Sequence, residues 1–171
     1  MPQYFKRARP ASGVLECENL PTLVFLTVCS KNRRKGLANP TIHRLLREVW
    51  REAHRWRVGP YVLMPDHLHL FAFPGEETCQ FDAWVKFWKS RVSRRLHDPS
   101  FRWQKASFHH RIRTYEGAED RLAYVRMNPV RAGLMKSPEE WEFQGEIGVL
   151  VVNRMTGQKA KAKLGPTAPC G

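Results

Sequence analysis

His67 and His69 stand one residue apart in the segment PDHLHLF, a spacing that suits metal binding. In a β-strand, side chains two residues apart lie on the same face, with Cβ atoms roughly 6–7 Å apart. Two imidazoles at that separation can ligate one metal ion if a further ligand comes from elsewhere in the chain. Because polar residues also alternate on solvent-facing strands, the pair alone leaves an ordinary surface role open.

Tyr124 and Asn128, in the segment EDRLAYVRMNP, are four residues apart and so share one face of a predicted helix. A tyrosine hydroxyl can attack phosphorus if a metal ion polarises the phosphate and stabilises the developing charge. The amide oxygen of Asn128 is a candidate ligand for the same ion. Histidine and oxygen ligands together suit Mg²⁺ or Mn²⁺, with Mn²⁺ better matched to imidazole. The alternatives are a tyrosine packed on a sheet and an asparagine that ends a helix.

The elements that position these residues follow from the spacing of apolar residues. We predict strands over 22–30, 58–64, 67–73 and 108–113, and helices over 39–56, 81–96 and 119–128, the last stopped by Pro129. Asn39-Pro40 is typical of a helix start, and Pro65-Asp66 separates the two strands of a hairpin. The order β-α-β-β-α-β with an added helix predicts an α+β fold, a ferredoxin-like antiparallel sheet backed by helices.

The 171 residues suffice for one domain with its own core, which we place at 1–152. Residues 153–171 are rich in Lys, Ala, Gly and Pro, which predicts a basic, disordered tail. The four cysteines form no CxxC pair, which argues against a zinc ribbon or a disulfide framework. Without an apolar run near ~18 residues or a signal peptide, we expect a cytoplasmic protein without a membrane partner.

The charge balance indicates a polyanionic partner. Lys and Arg total 29 against 16 acidic residues, a formal net charge of +13 and a pI near 10.1. The basic residues are spread over several elements, which favours nucleic acid over an anionic membrane. Two candidate DNA-binding patches stand out, one in a loop and one on a helix face: Lys31, Arg33, Arg34 and Lys35, and Lys86, Lys89, Ser90 and Arg94. Each could instead be a solvated face.

Together these segments resemble the REP-associated tyrosine transposases, within the wider group of HUH single-tyrosine endonucleases. The resemblance is carried by HxH after a Met-Pro-Asp turn, by Trp103-Gln104 with Phe108-His109-His110, and by the run YVRMNPVRAGL that begins at Tyr124. It extends from about residue 20 to about residue 143. The NPVRAGL run and its distance from the two histidines are its most specific features.

The resemblance implies a metal-dependent endonuclease and strand-transferase for single-stranded DNA. It implies that His67 and His69 bind the metal, with Asn128 as third ligand, and that Tyr124 is the nucleophile. It further implies a 5′-phosphotyrosine intermediate, a free 3′-OH, and a substrate of imperfect palindromes that fold into hairpins. We expect the protein to be a monomer or a homodimer. One departure is that histidine and arginine occupy the segment around Phe108-His109-His110, where an acidic residue is expected.

Two other functions remain open. A non-catalytic protein that binds structured single strands needs the basic charge but none of the four site residues. A metal phosphodiesterase with water as nucleophile needs the histidines but not Tyr124. Among the other tyrosines, Tyr4 lies in the basic N-terminal arm, Tyr61 in the strand before the hairpin, and Tyr115 in a predicted loop.

Overall fold

The computed structural model describes residues 22–148 apart from 76, 78 and 114, and at 115 and 116 it describes the backbone alone. The predicted N-terminal arm, the tail, and the domain boundary after residue 152 lie outside this range, as do Tyr4, Cys17 and Cys170. Cys29 and Cys79, the cysteines inside it, are free thiols. No helix in the described part of the chain is long and apolar enough to cross a bilayer.

Five strands form one antiparallel sheet in the order β4-β1-β3-β2-β5. They are β1 (Leu23–Cys29), β2 (Trp56–Leu63), β3 (His67–Pro74), β4 (Phe108–Ile112) and β5 (Gln144–Glu146). The first four match the predicted strands, and the hairpin of β2 and β3 turns at Pro65-Asp66. The short β5, which the sequence did not predict, pairs with β2. The α+β prediction is confirmed.

The helices are α1 (Pro40–Glu52), α2 (Phe81–Leu96), α3 (Tyr115–Arg126) and the single-turn α4 (Asn128–Arg131), with 3₁₀ turns at Lys31–Arg33 and Pro138–Glu140. The start of α1 is the one predicted. The Asn39 side-chain oxygen accepts a hydrogen bond from the backbone N–H of Ile42 at 2.9 Å, and Pro40 is the first helical residue.

An apolar core lies on each face of the sheet. On one face, α1 and α2 pack against β-strand residues that include Leu68, Leu70 and Ala72, all fully buried. On the other, Phe25 and Phe71 belong to a smaller core that also contains residues of α3 and of the segment after α4. Since side chains alternate along β3, His67 and His69 must face the second side of the sheet, the side that α3 covers.

The predicted end of the first helix is wrong. Trp56 continues the helical spacing of apolar residues, yet it is the first residue of β2. Its indole is buried, and its N–H donates to the carbonyl of Cys79 at 2.7 Å. A large apolar residue at the start of a buried strand can fall on a helical period by chance, so periodicity alone cannot separate the two.

The predicted third helix also needs correction. The helix starts at Tyr115, four residues before the predicted start, so Tyr115 is helical and does not lie in a loop. Pro129 does not end the helical region, because it is the second residue of α4. At that position the N–H that proline lacks would make no intrahelical hydrogen bond. Tyr124 and Asn128 therefore lie in two successive helices, joined at Met127.

Candidate active site

The histidine pair stands at the start of β3, the central strand of the sheet, next to β1. The ring centroids of His67 and His69 are 4.8 Å apart, and the two rings are nearly perpendicular. Pairing of β1 with β3 sets His69 opposite Thr27 and His67 opposite Cys29. The two imidazoles therefore converge on one place on the α3 side of the sheet.

His69 is held by neighbours on β1. Its Nδ1 is hydrogen-bonded to the hydroxyl of Thr27 at 2.9 Å, and its ring stacks on Phe25 at 5.4 Å between centroids. Burial, with the nearby charges of His67, Arg33 and Arg121 adding to it, lowers the pKa of His69 to about 3. The imidazole is thus neutral at physiological pH, which is the form that binds metal.

His67 is oriented by its neighbour Asp66. The Nδ1–H group of His67 donates to Oδ1 of Asp66 at 2.7 Å, and Nε of Arg33 pairs with the other carboxylate oxygen at 2.8 Å. Burial lowers the pKa of His67, although the hydrogen bond and charge of Asp66 oppose it. A carboxylate on Nδ1 leaves Nε2 as the ligating atom, the usual arrangement for a metal-bound histidine.

Among the described residues, neither Nε2 of this pair is recorded in a hydrogen bond. No cluster of three or more His, Cys, Asp or Glu side chains in this part of the chain is arranged to hold a metal ion. A divalent ion here would therefore depend on the two imidazoles with an additional oxygen donor. The donor set fits a divalent ion in that both rings are neutral, converge and keep one nitrogen available.

A cavity of about 620 Å³ opens over the histidines. His67 and His69 line its floor with Thr27, while α3 contributes Arg121 and Tyr124. Tyr124 is half exposed, and the guanidinium of Arg131 lies 4.3 Å from the centre of its ring. The fold thus brings three of the predicted site residues to one cavity, the two histidines and the tyrosine.

Asn128, the fourth predicted site residue, is not among the residues that line this cavity. It is partly buried at the start of α4, and its backbone carbonyl accepts from the N–H of Ala132 at 2.9 Å. Its assignment as third metal ligand stays a prediction.

The predicted basic loop divides between two cavities. Arg33 lines the histidine cavity, and besides Asp66 it contacts the thiol of Cys29, to which its guanidinium donates at 2.9 Å. Lys31, Arg34 and Lys35 line a separate cavity of about 490 Å³. Both Asn32 and Arg33 have positive φ angles of 55° and 56°, a conformation that is uncommon for residues other than glycine.

The basic residues predicted on one face of α2 differ in their exposure and in their contacts. Lys86 is exposed, and Arg94 donates to the hydroxyl of Ser90 one turn earlier at 3.2 Å. Lys89 is partly buried, and its ammonium donates to the backbone carbonyl of Gln104 at 2.7 Å. Burial lowers the pKa of Lys89. Lys89 therefore anchors the segment before β4, part of which lines the histidine cavity.

Several residues at the site escaped the sequence analysis. Thr27, Asp66 and Arg121 were not singled out, and His110 was noted only as a departure from the expected pattern. His110 lines the histidine cavity from β4, with its ring 5.5 Å from that of Phe25, and burial lowers its pKa. Only Asp66 carried a usable signal, its place directly before a candidate ligand.

Tyr61 lies on the opposite side of the sheet from the histidines. It is buried in the core beneath α1, its ring 5.0 Å from that of Trp50. Its hydroxyl is hydrogen-bonded to Nε2 of His43 at 2.8 Å, and burial raises its pKa. Tyr61 is therefore separated from the histidine cavity by the sheet itself.

The protein thus combines an antiparallel sheet, a histidine pair on the β2–β3 hairpin, and a tyrosine on a later helix that faces this pair. No protein-family model matches the chain. The chain is 26% identical over 125 residues to the REP-associated tyrosine transposase of Escherichia coli (strain K12), covering 70% of this chain and 73% of that protein. The resemblance found in the sequence is confirmed, and the chain is a homologue of a REP-associated tyrosine transposase.

The fold is also found among solved structures. A REP-associated tyrosine transposase bound to a REP hairpin superposes with a TM-score of 0.64 at 23% identity, covering 77% of this chain and 81% of that one. A candidate transposase from Deinococcus radiodurans has a TM-score of 0.46 at 15% identity, over 66% of this chain and 95% of that one. The first match shows that the two chains share a fold.

Proposed function

We propose that this protein is a metal-dependent endonuclease and strand-transferase, of transposase type, that acts on hairpin-forming single-stranded DNA. The observation that carries the proposal is that His67, His69 and Tyr124 line one cavity, although Tyr124 is more than fifty residues away in sequence. Homology to a REP-associated tyrosine transposase supports it, as does the fold shared with such a protein bound to a REP hairpin. In this interpretation the sheet is of the ferredoxin-like kind, and α3 is the added helix that carries the nucleophile.

In this proposal, His67 and His69 hold a divalent ion, Mg²⁺ or Mn²⁺, through their Nε2 atoms, and Asn128 supplies an oxygen ligand. The ion would polarise a non-bridging oxygen of the phosphate and offset its charge. Asp66 and Thr27 hold the two rings in place through Nδ1, so little ordering remains when metal and DNA bind.

Tyr124 acts as nucleophile. Its hydroxyl oxygen forms a bond to phosphorus as the bond from phosphorus to the 3′ oxygen breaks, leaving a 5′-phosphotyrosine. The phenolic proton goes to solvent and the departing 3′ oxygen takes up a proton, which leaves a free 3′-OH. Attack of a 3′-OH on the phosphotyrosine would reverse these bond changes and rejoin the strand. A neutral phenol with a pKa near ~10 is a weak nucleophile, so its placement on a helix above the histidines matters.

The basic residues would contact parts of the substrate strand outside the histidine cavity. Lys31, Arg34 and Lys35 line a separate cavity, and Lys86 and Arg94 are exposed on α2, which packs on the other face of the sheet. Lys89 contributes by holding the neighbouring segment in place, and Ser90 by fixing Arg94. With a net charge of +13, such contacts would make affinity for DNA fall steeply with salt.

A non-catalytic protein that binds structured single strands is the second candidate. The net charge and the fold suit it equally well. The oriented, neutral histidine pair facing a tyrosine favours the enzyme, because binding alone needs none of these side chains.

The test is incubation of the protein with end-labelled single-stranded hairpins taken from the DNA that flanks its gene, with and without Mn²⁺. The proposal predicts a labelled covalent protein–DNA adduct that requires the metal. Binding without any adduct, over a range of hairpins and with Mn²⁺ present, would support the non-catalytic protein. Metal-dependent cleavage without an adduct would support the phosphodiesterase that uses water.

A further inference from the structure

Arg121 stands on α3 three residues before Tyr124, so the two side chains lie on neighbouring positions of one helical face. Both line the cavity above the histidines. The guanidinium of Arg121 lies 5.3 Å from the centre of the Phe25 ring, the ring on which His69 stacks. Arg121 therefore reaches from the helix of the nucleophile to the strand beside the metal-binding pair.

This guanidinium has no anionic partner in the described part of the chain. Its one recorded contact is the aromatic face of Phe25, and the residue is exposed to the cavity. Arg33, the other arginine of the cavity, is in contrast tied to the carboxylate of Asp66 at 2.8 Å. Five N–H donors of Arg121 are thus available to an anion that enters the cavity.

The contact with Phe25 fixes where the positive charge of Arg121 lies. Phe25 is on β1, which runs between β3 and β4, so the guanidinium lies over the floor of the cavity. A phosphate that sits between Tyr124 and the histidines would therefore lie within the field of Arg121.

We propose that Arg121 is a catalytic residue that binds the non-bridging oxygens of the scissile phosphate and stabilises the charge that develops on them during attack by Tyr124. The inference rests on the proposed function and adds to it the group that contacts the phosphate from the side of the nucleophile. The planar guanidinium of Arg121 can donate two parallel hydrogen bonds to a phosphate, whereas a lysine ammonium acts as a point charge. The contact with the Phe25 ring helps to hold this guanidinium in place.

The test compares Arg121→Gln and Arg121→Lys with the wild-type chain in single-turnover adduct formation on a saturating labelled hairpin with Mn²⁺. Removal of one preorganised donor to a developing charge lowers rates by roughly 10²–10³-fold, and we expect a loss of that order for Arg121→Gln. Arg121→Lys should recover part of the rate but not all of it. Hairpin affinity should change by only a few fold, because the other basic residues remain.

Arg126→Gln is the matched control, because Arg126 is exposed on the same helix but lines a different surface cavity. It removes the same charge and should keep the wild-type rate. Thermal melting of each variant checks that the Phe25 contact is not needed for folding. If a folded Arg121→Gln variant forms adduct at the wild-type rate, or loses affinity without losing rate, the assignment is overturned. A wild-type chain that forms no adduct would instead overturn the proposed function itself.

Discussion

The carboxylate of Asp66 joins the imidazole of His67 to the guanidinium of Arg33. One oxygen accepts from Nδ1 of His67 at 2.7 Å, and the other pairs with Nε of Arg33 at 2.8 Å. Because both oxygens are engaged, Asp66 is suited to orienting the histidine and not to binding metal directly. Asp66 and His67 are adjacent in the chain but have different roles. His67 is the candidate metal ligand, and Asp66 orients it.

Replacement of Asp66 by asparagine should weaken Mn²⁺ binding roughly 10–100-fold, the usual effect of losing a carboxylate behind a metal-bound histidine. Titration of Mn²⁺ into the folded protein, followed by calorimetry, measures the change. Arg33→Gln is the control, because it removes the ion pair but keeps the contact between Asp66 and His67. Equal losses of affinity in the two variants would show that the ion pair, and not the orientation of His67, matters for metal binding.

Replacement of His67 or His69 by alanine should remove metal-dependent cleavage and leave hairpin binding largely intact. Each change deletes one of the two imidazoles that converge at the cavity, whereas the basic residues that would bind DNA are untouched. His54→Ala, on an exposed histidine after α1, serves as control. Full cleavage by the double variant His67→Ala, His69→Ala would contradict the metal assignment.

The stability of the metal-free protein should depend on pH through His69. Its pKa is about 3 in the folded chain and near 6.5 in the unfolded chain, so below pH 6.5 the unfolded state binds the proton and the folded state does not. Stability therefore falls as pH drops from 6.5 towards 3. At about 1.36 kcal/mol per pKa unit, His69 alone should cost roughly 2 kcal/mol between about pH 8 and about pH 5.

Chemical denaturation at the two pH values, with a chelator present, measures this cost. His69→Asn keeps a group that can hydrogen-bond to Thr27 but does not titrate. His43, His67 and His110 also have lowered pKa values, and they remain in the variant, so the difference between the two proteins isolates His69. The same pH dependence in both proteins would show that His69 is protonated without penalty.

Lys86 and Lys89 should differ in their effects on DNA binding, although they lie on one helix face. Lys86 is exposed, and its replacement by alanine should lower the log–log salt slope of hairpin binding by about 0.7, the value for one phosphate contact with a single strand. Lys89→Ala should instead lower the melting temperature, because its ammonium holds the carbonyl of Gln104. Salt-dependent binding and thermal melting of both variants check this. An unchanged slope in Lys86→Ala would exclude this face from the binding groove.

The ends of helices and strands could be predicted where neighbouring residues determine the backbone conformation directly. Asn39 and Pro40 mark the start of α1 because a capping side chain and a fixed φ angle act within one turn. Tyr115 was predicted to lie in a loop, yet α3 begins there. Ala118 and Val125 are buried against the sheet, and this packing outweighs the low helix propensity of the glycine at position 117. A three-residue strand such as β5 has too little periodicity to detect.

The site was predictable only in part. His67, His69 and Tyr124 could be found because strand alternation and a family resemblance both point to them. Thr27 and His110 join them through the pairing of β1 with β3 and β4, and that register is not encoded near either residue. Arg121 could not be distinguished from the other arginines, because its significance depends on which side of the sheet α3 covers.

The central claim is that Tyr124 attacks the DNA. The direct measurement is mass spectrometry of the tryptic peptide that remains attached to DNA after reaction of the wild-type chain with a labelled hairpin and Mn²⁺, alongside Tyr124→Phe and Tyr115→Phe. The account predicts DNA linked to Tyr124, no adduct with Tyr124→Phe despite normal hairpin and metal binding, and a normal adduct with Tyr115→Phe. DNA linked to Tyr115 or Tyr61, or an undiminished adduct in Tyr124→Phe, would contradict it.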